Sequence, residues 1–432
     1  MTATAHAAQA DAGAAPDPKP KTKSKSASAA RAPASSPTIT CSRADLVEAL
    51  TTACSIAAKK SPRKILEDVL IVATPGERME LYATDGDTSA RLVVTGADVE
   101  GDADISLEIA INAKRALDMC KAITDDRVTI TPRDLGVIRI ASASNAKTKF
   151  DVVTEPDPRE FPDMAFLDAK DVAGLASVTV DGEALALALD RTAFAAASEK
   201  ESARYAMNGT CFDWSRAGAL TLVATNGKQL AVAPVAGGAP GSVGATEGGA
   251  SVFAVLTAHA AAALRRFIEG AAKVNVRRNE FRMVFTCGDG SSGEVFSGQL
   301  LSGYFPPYEV GVPTRDAAKY TVALDRAALI EAVQAASLVN TTDSRAVRLS
   351  FAYQRVTIAA RGPDAGESAV ELACPGWTYE PFEIAFDPAM LLPALGVVDV
   401  DSVSFAFDTP ARPGVMRLED GYVYVIMPIT IG

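Results

Sequence analysis

The sequence predicts an α+β protein made of three copies of one domain, and three observations carry that prediction. The phrase Ala83-Thr84-Asp85-Gly86 recurs as Ala224-Thr225-Asn226-Gly227, 141 residues on, and a weaker copy spans residues 356–362, with Ala359 a further 135 residues along. That period is too long for a solenoid unit and fits a repeated domain. Around each copy the chain reads helix, strands, helix, strands, with apolar residues at helical spacing followed by short β-branched runs bounded by Gly, Pro, Asn and Asp. Finally, 432 residues at 48% apolar content suffice for several cores.

Residues 1–37 are rich in Ala, Pro, Ser and Lys, with Lys19, Lys21, Lys23, Lys25 and Arg31 making the segment basic. Such a composition buries too little surface to fold and is expected to be a solvated tail, able to tether loosely to phosphates. It lacks the apolar stretch of a signal peptide. The first domain is expected over 38–164. A helix over 43–58 is capped by Ser42 and places Val47, Leu50, Cys54 and Ala57 on one face. Strands follow over 65–73, 79–83 and 89–94, then a helix over 112–123 begun by Asn112, then strands over 128–131, 137–141 and 150–154.

The second domain is expected over 165–304. Its first helix covers 182–197 and its strands 207–214, 220–224 and 230–235, the last two separated by Asn226-Gly227, a turn signal because both residues tolerate positive φ. A Gly- and Ala-rich loop covers 236–249, a second helix 258–268, and a hairpin 274–286 turns at Asn279-Glu280. The third domain, 305–432, repeats the order. Its helix covers 325–339 and its strands 346–352, 355–359 and 370–374. A second helix over 388–395 has Pro388 in its permitted first turn, and strands over 403–407, 415–419 and 422–428 end the chain.

Composition narrows function. The net charge is −11, so a nucleic-acid role requires basic residues gathered on one surface. The six cysteines form no CxxC and read as thiols of a reducing cytosol. With only His6 and His259, zinc sites and His-based catalysis have almost no ligands. No apolar run reaches the roughly 18 residues of a membrane span. Gly288–Gly293 lacks the lysine and the following helix of a phosphate loop, and no Walker, Rossmann or nucleophile-base pattern occurs. The expectation is a protein without catalytic activity, metal or cofactor. Its basic residues gather at predicted helix ends: Lys59, Lys60, Arg63 and Lys64; Lys114 and Arg115; Lys200 and Arg204; Arg265 and Arg266. Long cations so placed suit a phosphate-lined passage as well as a solvated face.

Three stretches carry a family resemblance. Arg204-Tyr205-Ala206-Met207-Asn208-Gly209 followed by Ala224-Thr225-Asn226-Gly227-Lys228-Gln229-Leu230, then Phe305-Pro306-Pro307-Tyr308, then Tyr424-Val425-Ile426-Met427-Pro428-Ile429 resemble, in that order, motifs of the bacterial DNA polymerase III beta subunit, the sliding clamp. The resemblance implies three clamp domains per chain. It implies a homodimeric ring, helices inside and sheets outside, sliding on duplex DNA without regard to sequence. The implied partners are replicative DNA polymerase, a clamp loader and other proteins bearing a short Gln- and Leu/Phe-containing motif. The implied location is cytoplasmic, at the nucleoid. DNA contacts are implied near Lys60 and His259 and around Arg204-Tyr205. The implied peptide pocket has Met207, Thr225, Gly227, Leu230, Pro306, Val425, Met427 and Pro428 as walls, with Lys228 at the rim. Lys228-Gln229, Glu309-Val310-Gly311 and the ending Ile429-Thr430-Ile431-Gly432 depart from the family's usual residues and mark a divergent paralogue. The alternative is a clamp-like interaction scaffold that does not encircle DNA.

Overall fold

The computed structural model describes residues 37–430 except 103, 134–135, 146, 165–166, 168–176, 199–205, 217–218, 237–252, 289–292, 315–317, 342–343 and 364. The basic tail and most of the 236–249 loop therefore lie outside the described residues. The first repeat contains β1 (Thr38–Ser42), α1 (Arg43–Ile56), β2 (Asp68–Ala73), β3 (Met79–Thr84), β4 (Thr88–Val94), β5 (Asp98–Glu100), β6 (Leu107–Asn112), α2 (Ala113–Ala122), β7 (Arg127–Pro132), β8 (Val137–Ser142) and β9 (Lys149–Val153). The second contains β10 (Ser177–Asp181), α3 (Gly182–Thr192), β11 (Gly209–Arg216), β12 (Ala219–Thr225), β13 (Gln229–Pro234), β14 (Phe253–Thr257), α4 (Ala258–Phe267), β15 (Lys273–Arg278), β16 (Arg282–Cys287) and β17 (Val295–Gln299). The third contains β18 (Tyr320–Asp325), α5 (Arg326–Ser337), β19 (Val347–Ala352), β20 (Arg355–Gly362), β21 (Gly366–Ala373), β22 (Phe382–Phe386), α6 (Pro388–Gly396), β23 (Ser402–Phe407), β24 (Gly414–Arg417) and β25 (Val423–Ile426).

The strands that sequence reading passes over are mostly those running straight into a helix: β1, β6, β10, β14, β18 and β22. No loop separates strand from helix. The residue at the boundary is Ser42, Asn112, Asp181, Thr257, Asp325 or Asp387, and in each case its side chain accepts from a backbone N–H of the first helical turn. The Asp325 cap is the shortest, with Ala328 N donating to Oδ1 at 2.7 Å. A short polar residue that ends a strand and caps a helix hides the change of period from two to 3.6.

Each repeat contributes two half-sheets, of four strands except for the five-stranded β5-β1-β7-β8-β9, and halves join across repeats. One eight-stranded sheet runs β10-β15-β16-β17-β4-β3-β2-β6, and another runs β14-β11-β12-β13-β25-β24-β23-β18. The junctions are antiparallel pairs: β17 with β4, placing Phe296 opposite Ala90, and β25 with β13, placing Tyr424 opposite Ala231. Among the described residues two half-sheets have no such partner: β5-β1-β7-β8-β9, ending at β9, and β21-β20-β19-β22, ending at β21. The helices cover the inner faces of these sheets. The third repeat's core is aromatic, with Phe351 stacked on Trp377 at 4.4 Å between centroids.

The third copy of the repeated phrase is shifted by one residue from its expected register. Leu81 and Ala83 point into the core, as do Leu222 and Ala224; in β20 the buried residues are Ile358 and Ala360, while Ala359 is only half-buried. Ala360, not Ala359, thus holds the position of Ala83. One residue of slip exchanges the faces of a strand, so burial decides the register that sequence identity blurs.

Candidate peptide pocket and nucleic-acid face

The pocket is built on the turn between β12 and β13. Thr225 Oγ1 donates to the Gln229 carbonyl at 2.6 Å and accepts from Gly227 N at 3.1 Å. Lys228 N and Gln229 N each donate to Asn226 Oδ1 at 3.0 Å. Gly227 has φ of +83°, a conformation open to glycine at little cost. The closed turn delivers β13 onto β25, Leu230 facing Val425, and Met427 N donates to the Lys228 carbonyl at 2.8 Å. The far wall is the linker from the second repeat to the third. Tyr308 anchors it, its hydroxyl donating to Oδ2 of the fully buried Asp213 at 2.5 Å.

These elements enclose a cavity of about 380 Å³. Met207, Thr225, Gly227, Lys228, Leu230, Pro306, Val425 and Met427 line it together. Pro428 does not; it lines an adjoining cavity of about 540 Å³ with Arg345, Met390 and Ile429, separated from the first by the shared Lys228 and Met427. Gln229 and Gly311, within the stretches that depart from the family at the pocket rim, also line the first cavity; Pro307, Tyr308 and Pro413 line it too and went unassigned in the sequence. Pro307 and Gly311 follow from the FPPY stretch once its path is known, whereas nothing in the sequence marks Pro413. The floor, Leu230 and Val425, is buried, and Met427 at the mouth is 43% exposed. A buried apolar floor below a flexible thioether suits an inserted apolar side chain. Among the described residues no three His, Cys, Asp or Glu side chains converge on a metal position.

The basic residues divide into two sets. Lys59, Lys60, Arg63 and Arg115 are exposed and make no ion pair among the described residues. Lys64 is paired with Glu67 at 2.9 Å, Lys114 with Asp118 at 3.2 Å, Arg265 with Asp190 at 2.8 Å and Arg266 with Glu269 at 2.8 Å. His259 Nε2 lies 3.2 Å from Asp85 Oδ2, tying α4 of the second repeat to the β3–β4 turn of the first. The hydrogen bond to Asp85 raises the imidazole pKa against the opposing effects of burial and of the Lys59 charge. Lys59 and His259, far apart in sequence, are therefore close enough to interact. Lys200, Arg204 and Tyr205 lie outside the described residues.

Residues 38–164 match the family model described as DNA polymerase III beta subunit, N-terminal domain, and residues 312–430 match the corresponding C-terminal domain. Together the matches span more than half of the chain. The chain belongs to the DNA polymerase III beta subunit family. It is 28% identical over 407 residues to the beta sliding clamp of Caulobacter vibrioides, covering 91% of this chain and 100% of that one. Against the beta sliding clamp of Pseudomonas putida it is 24% identical over 398 residues, covering 91% and 99%. The DNA polymerase III beta subunit of Thermotoga maritima shares its fold with a TM-score of 0.75 at 20% identity, covering 92% of this chain and 100% of that structure. A sliding clamp from Bartonella birtlesii, solved bound to griselimycin, has a TM-score of 0.75 at 24% identity, covering 91% and 99%. Coverage this complete places the three repeats of this chain on the three-domain clamp fold from end to end.

Proposed function

We propose that two copies of this chain close head to tail into a ring that slides on duplex DNA and tethers replicative DNA polymerase through the pocket at Met427. The reading gives the chain no catalysis and no cofactor. Its other partners are a clamp loader and further proteins bearing the short apolar motif, and its place is the cytoplasm, at the nucleoid.

The observation that carries the reading is the pair of unpartnered edges. Within the chain each junction joins the last strand of one half-sheet, β17 or β25, to β4 or β13 of its neighbour. The strands in the same positions at the two ends are β9 and β21. Pairing β9 of one copy with β21 of another repeats the junction a third time. Two copies then form a closed ring of six repeats with no open end, the commonest kind of closure. Phe150 in β9 holds the place of Phe296 and Tyr424, which are fully buried at the internal junctions, yet Phe150 is only half-buried in one chain. Leu338, just beyond α5 in the third repeat, is 84% exposed and is another apolar residue for the partner to cover. Lys59, Lys60, Arg63 and Arg115 supply cations for phosphates, a sequence-blind and salt-sensitive contact.

The test is molar mass by light scattering at micromolar protein, together with retention on circular and linear DNA. Two chains per particle and retention on circles but loss from linear ends are expected. A one-chain mass with no retention on circles defeats the ring and leaves a peptide-binding scaffold.

A further inference from the structure

We infer that the peptide pocket is one end of a groove across the outer face of the sheet, and that the groove holds a second apolar anchor of the same partner segment. The inference rests on the peptide-binding reading above and extends it. The floor of the pocket does not stop at Val425. Across neighbouring strands the paired residues run Leu230–Val425, Val425–Val415, Val415–Ala406 and Ala406–Thr321, one unbroken row over β13, β25, β24, β23 and β18. Leu230, Val425, Val415 and Ala406 belong to one apolar cluster. At the far end of the row Val415, Ala406 and Thr321 underlie a second cavity of about 350 Å³. Pro413 lines both cavities, so the loop before β24 is a common wall. The linker is the opposite wall, with Gly311 on the first cavity and Pro313 on the second.

The chemistry of the second cavity selects its occupant. Its basic groups are engaged, Arg412 pairing with Asp408 at 2.8 Å and the Arg417 guanidinium donating to the Pro313 carbonyl, while the exposed Glu419 stands on the rim. The floor itself is apolar, with Val415 and Ala406 continuing the cluster of the first cavity, and suits Leu, Ile, Val or Phe. Gly311 keeps the passage beside Leu230 wide, since an added Cβ would stand in van der Waals contact, 3.8 Å from Leu230 Cδ2. The centres of the two floors are about two and a half strand spacings apart, about 12 Å, which an extended segment crosses in about three to four residues. The occupant is therefore a partner peptide with a second apolar residue about three to four positions from the first.

The experiment uses the full chain and fluorescence anisotropy with synthetic labelled peptides. One peptide carries a single Leu-Phe anchor. Others add Ser-Ser-Ser-Leu at the C-terminus or Leu-Ser-Ser-Ser at the N-terminus, with Ser replacing Leu in the controls. One of the two Leu-extended peptides is expected to bind about tenfold more tightly than its Ser control, the effect of partly burying one Leu side chain. Ala406→Arg should erase that gain without weakening the single-anchor peptide. Thr321→Arg, at an exposed position on the same floor, should do likewise and guards against a folding defect in the first variant. Absence of a gain at either end, or a gain that survives both variants, overturns the second anchor. If instead the single-anchor peptide fails to bind, or binds equally to Met427→Lys, the pocket reading itself fails and the second anchor falls with it.

Discussion

Met427→Lys separates a binding residue from a core residue. Met427 follows β25, its side chain stands 43% exposed at the pocket mouth, and its backbone N–H is held by the Lys228 carbonyl at 2.8 Å. The substitution leaves that hydrogen bond intact. Complete burial of a methionine is worth about 1.5–3 kcal/mol, so covering the exposed part gives a ligand roughly 0.6–1.3 kcal/mol. The new ammonium must either lose water against an apolar ligand or hold the ligand away, at a further cost of about 1–3 kcal/mol. Peptide affinity should therefore fall roughly fifteenfold or more. Stability should change by only about 0.5 kcal/mol, because the new side chain reaches solvent. Anisotropy with the Leu-Phe peptide reads the first quantity and thermal unfolding the second. Unchanged affinity together with a collapse of the melting temperature would make Met427 a packing residue and remove the pocket from its assigned place.

Phe150→Asp should convert a two-chain particle to one chain by light scattering while the monomer keeps its circular dichroism; a persisting dimer excludes the β9 edge from the interface. The triple variant Lys59→Ala, Lys60→Ala, Arg63→Ala should flatten the salt dependence of DNA binding, the log–log slope falling by about 0.9 for each phosphate that is no longer neutralised. Arg265→Ala with Arg266→Ala should flatten it less, since Asp190 and Glu269 already hold those guanidinium groups. For the His259–Asp85 pair, the Asp85 carboxyl is raised by burial but lowered on balance by hydrogen bonds from His259, Thr88 and Asp87, while the His259 imidazole is raised. The imidazole's contribution is complete below its unfolded pKa and is lost as pH rises through its folded value; the carboxylate's is present above its unfolded pKa and lost as pH falls through its folded one. The stability difference between wild type and His259→Gln should hence be greatest at mildly acidic pH and shrink in both directions. With His259 45% exposed, the effect should stay within about 1 kcal/mol. A difference independent of pH in chemical unfolding refutes the pairing.

Much of the fold was legible because the three repeats report on one another. Asn226-Gly227 announces its turn, and Asp85-Gly86 announces the same turn in the first repeat. The strands β6, β14 and β22 were hidden because their last residues or the next ones, Asn112, Thr257 and Asp387, serve helices as caps and so read as helix starts alone. The pocket was legible where its residues sit in linear motifs. Pro413 was not, because it reaches the pocket only through the pairing of β25 with β13 across two repeats, which no local pattern encodes. The ion pairs of Arg265 and Lys114 were equally hidden. Asp118 lies four residues from Lys114 on one helix and was readable in principle, but Asp190 reaches Arg265 from a different helix.

The uneven decay of the repeated phrase has a physical explanation in the same junctions. After the turn, β4 and β13 enter the middle of eight-stranded sheets, and nearly every residue of both is buried. Thr88–Val94 and Gln229–Pro234 are mostly apolar or small on both faces, and their large polar residues, Arg91 and Gln229, are buried with hydrogen-bond partners. The strand in the third copy, β21, has no neighbour on its outer side among the described residues, and its residues alternate between half-buried and exposed. Its exposed positions include Glu367 and Glu371, set against Arg361 and Arg355 of β20 at 3.2 and 3.8 Å. The opposing edge, β9, carries Lys149 and an Asp151 held by Arg139 at 2.7 Å. Charges on an open edge oppose pairing with arbitrary strands and still allow a strand of complementary charge. The third copy has therefore diverged at the strand that, in the proposed ring, finds its partner on a second chain.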